Sequence, residues 1–246
     1  MNPTGPGAPL IDCRDAARTY GQGEHAVVAV HGATCQVRAD DRIAIMGPSG
    51  SGKSTLLHLM AGLERPTSGE ITWPALGRPA TARDIGVVFQ SPSLIPALDV
   101  VENTALPLAL SGTSEPEARR RALSALDAVG IGDLADKLPE ELSGGQAQRV
   151  AVARVLALRP RVVLADEPTG QLDRATGRHV VDVLLETAAE LGAALVVTTH
   201  DPTVGERLTE RWPMHEGRLA TTLPAPISGP RTAPRARPNA TRGETS

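Results

Sequence analysis

Short apolar runs recur along the chain and alternate with stretches of helical period. Val27–Val30, Arg42–Met46, Ile85–Phe89, Val162–Ala165 and Leu195–Thr198 read as strands. The last three are nearly continuous apolar runs, the pattern of strands buried on both faces of a parallel sheet. Lys53–Gly62, Glu115–Val129, Gln146–Leu158 and Arg174–Leu191 read as helices. Strand and helix in alternation predict an α/β fold with a mostly parallel central sheet covered on both faces. Residues 9–37 and 70–73 carry shorter strand-like pieces with no helix between them, which predicts an antiparallel β flank. The stretch 91–158 is largely helical and interrupts the strand series, so it is expected to be an inserted α-helical subdomain.

Beyond Thr222 the pattern stops. The segment 222–246 holds five prolines and four arginines and almost no large apolar residues, and it is expected to be a disordered tail. The expected organisation is one domain over 1–221 followed by that tail. A chain of 246 residues suffices for one such domain with a substantial core. The net charge of -3 offers no basic field for nucleic acid. No apolar run approaches the roughly 20 residues of a membrane helix, and the first ten residues lack the pattern of a signal peptide. The chain is therefore expected to be soluble by itself. Cys13 and Cys35 are far apart in sequence and form no CxxC, so they read as incidental buried thiols in a reducing compartment.

Only two of the 25 basic residues are lysines, which singles out Lys53. Gly47-Pro48-Ser49-Gly50-Ser51-Gly52-Lys53-Ser54 fits the pattern G-x-x-x-x-G-K-S/T, follows the strand Ile43–Met46 and, with Thr55, opens a helix. Such a loop turns consecutive N–H groups toward phosphate oxygens, and the helix N-terminus adds partial positive charge. A compact ammonium at Lys53 suits the β- and γ-phosphates better than a guanidinium fork, and the Ser54 hydroxyl suits Mg²⁺. Val162–Ala165 ends in two acids. Asp166 stands where open α/β sheets bind ligands and is expected to hold Mg²⁺, while Glu167 is expected to polarise the attacking water. His200, after the run Leu195–Thr198, converges on the same crevice and is expected to orient that water. The other histidines, His25, His31, His58, His179 and His215, read as ordinary. Leu142-Ser143-Gly144-Gly145-Gln146 exposes N–H groups at the start of another helix, a second anion site.

LSGGQ, about 90 residues after Lys53 and 20 before Asp166, resembles the signature motif of ABC ATPases. With GPSGSGKST and VVLADE, the resemblance covers about residues 9–220. It implies a P-loop NTPase fold and a head-to-tail dimer in which the signature of one subunit caps ATP held by the cradle of another. It also implies that Tyr20 stacks on adenine, that Gln90 senses Mg²⁺ and couples to the helical subdomain, that Gly170–Asp173 crosses the dimer interface, and that His200 is the switch histidine. The stretches 46–71, 87–108 and 165–173 are similar to the lipoprotein-release and macrolide-exporter branch, which includes cell-division relatives. The branch implies an ATP-hydrolysing subunit that pairs with a second such subunit, as a homodimer, and with a transmembrane permease at the cytoplasmic face of the cell membrane. An alternative is an ABC-type regulatory ATPase that controls a cell-envelope or division complex without moving a solute. DNA-repair and translation ATPases of the class usually carry two cassettes, a long coiled coil or a zinc-binding insertion, and this chain has none of these signs. It departs from the branch at Gln171, usually Asn, in the short segment Pro74–Asp84, and in its tail.

Overall fold

The computed structural model describes residues 7–76, 83–170 and 172–220. The expected tail, Gln171 and the middle of the short Pro74–Asp84 segment lie outside them. In chain order the strands are β1 (Ile11–Tyr20), β2 (Val27–Val37), β3 (Arg42–Met46), β4 (Ser68–Thr72), β5 (Ile85–Val88), β6 (Val162–Asp166), β7 (Ala194–Thr199), β8 (Glu210–His215) and β9 (Arg218–Leu219). The α-helices are α1 (Lys53–Met60), α2 (Val100–Leu110), α3 (Glu115–Ala128), α4 (Gly144–Leu156), α5 (Arg174–Leu191) and the short α6 (Pro202–Gly205).

Six strands form one sheet in the order β5-β6-β7-β3-β8-β9, parallel except for the β8–β9 pair. Its apolar runs are explained by burial on both faces. Along β6, Val163 and Ala165 join a core with the helices α2–α5, while Val162 and Leu164 join a second core with α1. Along β7, Leu195 and Val197 go one way and Ala194 and Val196 the other. Period-2 alternation thus feeds two cores, so neither strand spares a position for a polar residue until its carboxyl end. β2-β1-β4 form the expected antiparallel flank over the α1 side.

α2, α3 and α4 pack on one another through Val100, Val101, Leu108, Ala118, Ala122, Leu126 and Val150, and this cluster is continuous with the sheet face. α2 starts at a reciprocal capping box: Glu102 N donates to Asp99 Oδ1 at 2.7 Å and Asp99 N donates to Glu102 Oε2 at 2.9 Å.

Two expectations shift. β2 runs on to Val37 because its later residues alternate in burial instead of staying apolar. α4 begins at Gly144, two residues before Gln146. Cys13 and Cys35, distant in sequence, lie directly opposite each other on β1 and β2, both fully buried as free thiols. A hydrogen bond with Cys13, reinforced by burial, pushes the Cys35 thiol well above its ordinary value.

Candidate nucleotide-binding site

The parallel register brings four strand ends to one edge. Val88 pairs with Ala165, Asp166 with Thr198, and Met46 with Thr199. Gln90, Asp166, Glu167, His200 and the loop Gly47–Gly52 therefore all emerge at the carboxyl edge of β5, β6, β7 and β3.

The loop is shaped by its neighbours. A side chain at Gly47 would collide with the Met214 carbonyl of β8, and one at Gly52 with the Ala29 carbonyl of β2. Gly52 also has φ 96°, in the left-handed region, where it caps α1. Pro48, Ser49 and Gly50 form the exposed tip, and Thr55 is half-buried in the first turn of α1. Lys53 is buried, and Nζ donates to the carbonyls of Gly47 and Pro48 at 3.0 Å each and lies 3.4 Å from Glu167 Oε1. The Ser51 hydroxyl is buried without a hydrogen-bond partner.

Asp166 is buried at the end of β6. Its Oδ1 accepts from Ser54 Oγ at 2.9 Å and from Thr198 Oγ1 at 2.6 Å. Thr198 Oγ1 in turn accepts from Glu167 N at 3.0 Å. That bond, with a second from Glu167 N to Thr198 O at 3.2 Å, holds Glu167 at φ 40°, a conformation a non-glycine residue adopts only when its surroundings enforce it. The Glu167 carboxylate is held between Lys53 and His200, whose Nδ1 stands 3.3 Å from Oε2. A carboxylate between a buried ammonium and an imidazole, at the rim of an anion-binding loop, is suited to accept a proton from a water aimed at bound phosphate.

Tyr20 ends β1 opposite Val27, two residues before Ala29. Its hydroxyl donates to Glu64 at 2.6 Å, and the Arg18 guanidinium lies 4.7 Å from the ring centroid. The ring is thus fixed at its rim and on one side, yet exposed. Gln90 is exposed, two residues beyond β5.

The second anion site is separate. Ser143 caps α4: Gln146 N donates to Ser143 Oγ at 3.3 Å and Ser143 N donates to Gln146 Oε1 at 2.8 Å. Gly144 faces open space, and Gly145 approaches Thr176 and Leu172. No hydrogen bond or ion pair among the described residues joins Ser143–Gln146 to the Lys53 loop. Asp173 caps the neighbouring α5, and its bonds from Thr176 and Ala175 hold its carboxyl below the usual range. Bonds from Thr203 do the same for Asp201, beside His200.

Two participants escaped the sequence reading. Thr198 links the two acids, and its only signal was a hydroxyl closing an apolar run just before His200. His58, read as ordinary, has Nε2 4.0 Å from Asp166 Oδ2.

A divalent cation fits this edge. Asp166 uses Oδ1 for both of its hydrogen bonds, which leaves Oδ2, 4.0 Å from His58 Nε2, with lone pairs to offer a hard ion.

A lysine-bearing phosphate loop, a strand-end acid pair and a sheet of this order define an ATP-binding α/β cassette. The sequence profile of the ABC transporter family matches residues 30–170, and the chain belongs to that family as an ATP-binding cassette, an ATPase class. It is 42% identical over 219 residues to the lipoprotein-releasing system ATP-binding protein LolD of Legionella pneumophila (strain Paris), across 85% of this chain and 96% of that protein. It is 40% identical over 225 residues to the uncharacterized ABC transporter ATP-binding protein YbbA of Escherichia coli (strain K12), across 87% and 98%. The dimeric, post-hydrolysis structure of the ATP-binding cassette MJ0796 bound to ADP and Pi superposes with TM-score 0.78 at 36% identity, across 86% of this chain and 97% of that one. No helix among the described residues is long and apolar enough to cross a membrane.

Proposed function

We propose that this cassette hydrolyses ATP between two head-to-tail copies of itself and thereby drives a separate transmembrane permease from the cytoplasmic face of the cell membrane. The observation that carries the reading is the unbroken chain of contacts Ser54–Asp166–Thr198–Glu167–His200 at the mouth of the Lys53 loop.

The loop and first helical turn formed by Gly47, Ser49, Gly50, Ser51, Gly52, Lys53, Ser54 and Thr55 would wrap the phosphates with backbone N–H groups, Pro48 contributing shape alone. Lys53 exchanges the Gly47 and Pro48 carbonyls for β- and γ-phosphate oxygens, which leaves its charge paired throughout. Ser54, Asp166 and Gln90 would hold Mg²⁺, which when bound neutralises the charge gathering on the transferred phosphoryl group. Tyr20 offers its free face to adenine. Glu167 accepts the proton of the attacking water, and His200 fixes the carboxylate that does so.

Ser143, Gly144, Gly145 and Gln146 of the second copy close over the γ-phosphate with the N-terminus of α4. Gly170, Leu172 and Asp173 accompany them as the crossing loop, with Gln171 between. Residues 1–221 act as the nucleotide-binding unit, with 91–158 the lever that passes closure to the permease, and 222–246 are a tail outside that machinery. The dimer described for MJ0796 supports the pairing, and the name borne by LolD supports the lipoprotein-release branch for this chain.

Affinity isolation of the full chain from detergent-solubilised membranes of its own cell tests the transport half. Recovery of a protein with four membrane spans and a large external domain is expected. Recovery of the cassette with no membrane protein would contradict it.

A further inference from the structure

His58 lies one helical turn after Ser54 on α1, so the two side chains share a face. They address the same carboxylate. Ser54 Oγ and Thr198 Oγ1 both donate to Asp166 Oδ1, while Oδ2 faces His58 Nε2 across 4.0 Å. That nitrogen is buried and has no hydrogen-bond partner, an unfavourable state for a ring N–H. The ring packs against Phe89 with centroids 5.9 Å apart and planes tilted by 53°. Phe89 immediately precedes Gln90, and its carbonyl accepts from Gln148 Nε2 of α4 at 3.2 Å. The gap of 4.0 Å exceeds a hydrogen bond by about 1 Å.

We propose that His58 is a positioning residue for the proposed metal site: its Nε2–H holds Asp166 Oδ2 while Ser54 and Thr198 hold Oδ1, so that the carboxylate plane is fixed on both sides. A carboxylate ligand held in this way loses little freedom when a divalent cation arrives. The inference rests on the reading of Asp166 as the metal carboxylate. The role needs a neutral donor and not a charge. His58→Gln therefore keeps it, whereas His58→Leu keeps the packing on Phe89 and removes the donor.

The test titrates MgCl₂ against the full chain and follows two readouts: binding of a fluorescent ATP analogue and the rate of ATP hydrolysis. His58→Leu is expected to raise the half-saturating Mg²⁺ concentration about tenfold in both readouts, with His58→Gln returning to within about threefold of wild type. Binding of the analogue without Mg²⁺ is expected to be unchanged in both. His58→Ala repeats the donor-free arm should leucine prevent folding. Wild-type Mg²⁺ dependence in the donor-free variant, or equal shifts in His58→Leu and His58→Gln, would overturn the proposal. Asp166→Asn separates the two levels. If it leaves the Mg²⁺ dependence intact, the metal reading of Asp166 itself falls. If it shifts the dependence and His58→Leu does not, only the role of His58 falls.

Discussion

The Lys53 loop and the turn Ser143–Gln146 each place backbone N–H groups at the start of a helix, yet they are finished in different ways. Apart from its exposed tip, the loop is tied to its own chain. Lys53 reaches Glu167, Ser54 reaches Asp166, and Gly47 and Gly52 are fitted against β8 and β2. The turn is satisfied within itself by a capping box, and Gly144 looks onto empty space. The first region has its chemistry assembled within one chain. The second has its geometry ready and nothing of its own to act on. Function on this account needs the loop of one copy and the turn of another.

The largest expected effect falls on the loop side. Glu167→Gln removes the proton acceptor but keeps the shape, and the hydrolysis rate is expected to fall about 10³-fold, near 4 kcal/mol in barrier, with nucleotide binding retained. Steady-state phosphate release measures it, and a near-normal rate would remove Glu167 from the role. Lys53→Ala deletes a charge-assisted contact at both phosphates and is expected to weaken ATP binding about 10²-fold. Calorimetry that finds unchanged affinity would contradict the cradle reading.

The turn should respond differently from Lys53, losing hydrolysis without losing nucleotide affinity. Ser143→Arg puts bulk and charge on an exposed cap. It is expected to leave ATP affinity of the single chain within about twofold while hydrolysis drops about 10²-fold, the scale of a lost transition-state anion site. Parallel loss of binding and hydrolysis would dissolve the contrast between the two regions.

The smallest effect concerns the caps beside them. The carboxyls of Asp173 and Asp201 lie below their ordinary values because hydrogen bonds favour the charged form. A depressed folded value means that their contribution to stability is complete above the unfolded value of about 4 and is lost as pH falls through the folded one. Melting temperature measured from pH 6 to pH 3 should therefore decline less steeply in Asp173→Asn than in wild type. Identical slopes would place the pH sensitivity elsewhere.

How much of this was readable in the sequence follows from where each element sits. β6 and β7 were plain because both faces are buried and no position alternates. β8 was not, because Trp212 and Met214 point inward while Arg211 and Pro213 point out, and a proline with flanking charges masks a strand beside the sheet edge. α2 was not read as a separate helix, because Pro107 lies inside it and interrupts its helical pattern. The loop, the acid pair and the turn were visible because their chemistry demands particular residues at fixed spacing. Tyr20 and Gln90 came through family resemblance alone. Thr198 gave only a hydroxyl closing an apolar run and His58 gave no sign, because a hydroxyl or an imidazole becomes specific only when register and helix packing bring it to Asp166. The pairing of Cys13 with Cys35 was hidden for the same reason, as an antiparallel register across 22 residues of chain.

The central claim is that one working site is split between two copies. Mixing Lys53→Ala protein with Ser143→Arg protein tests it most directly, since each is expected to be inactive alone. In a mixed dimer the intact loop of the second variant meets the intact turn of the first. The account predicts hydrolysis well above the sum of the separate preparations, rising as the two approach equal amounts. Activity no greater than that sum, with mixed dimers verified by tag exchange, would contradict it.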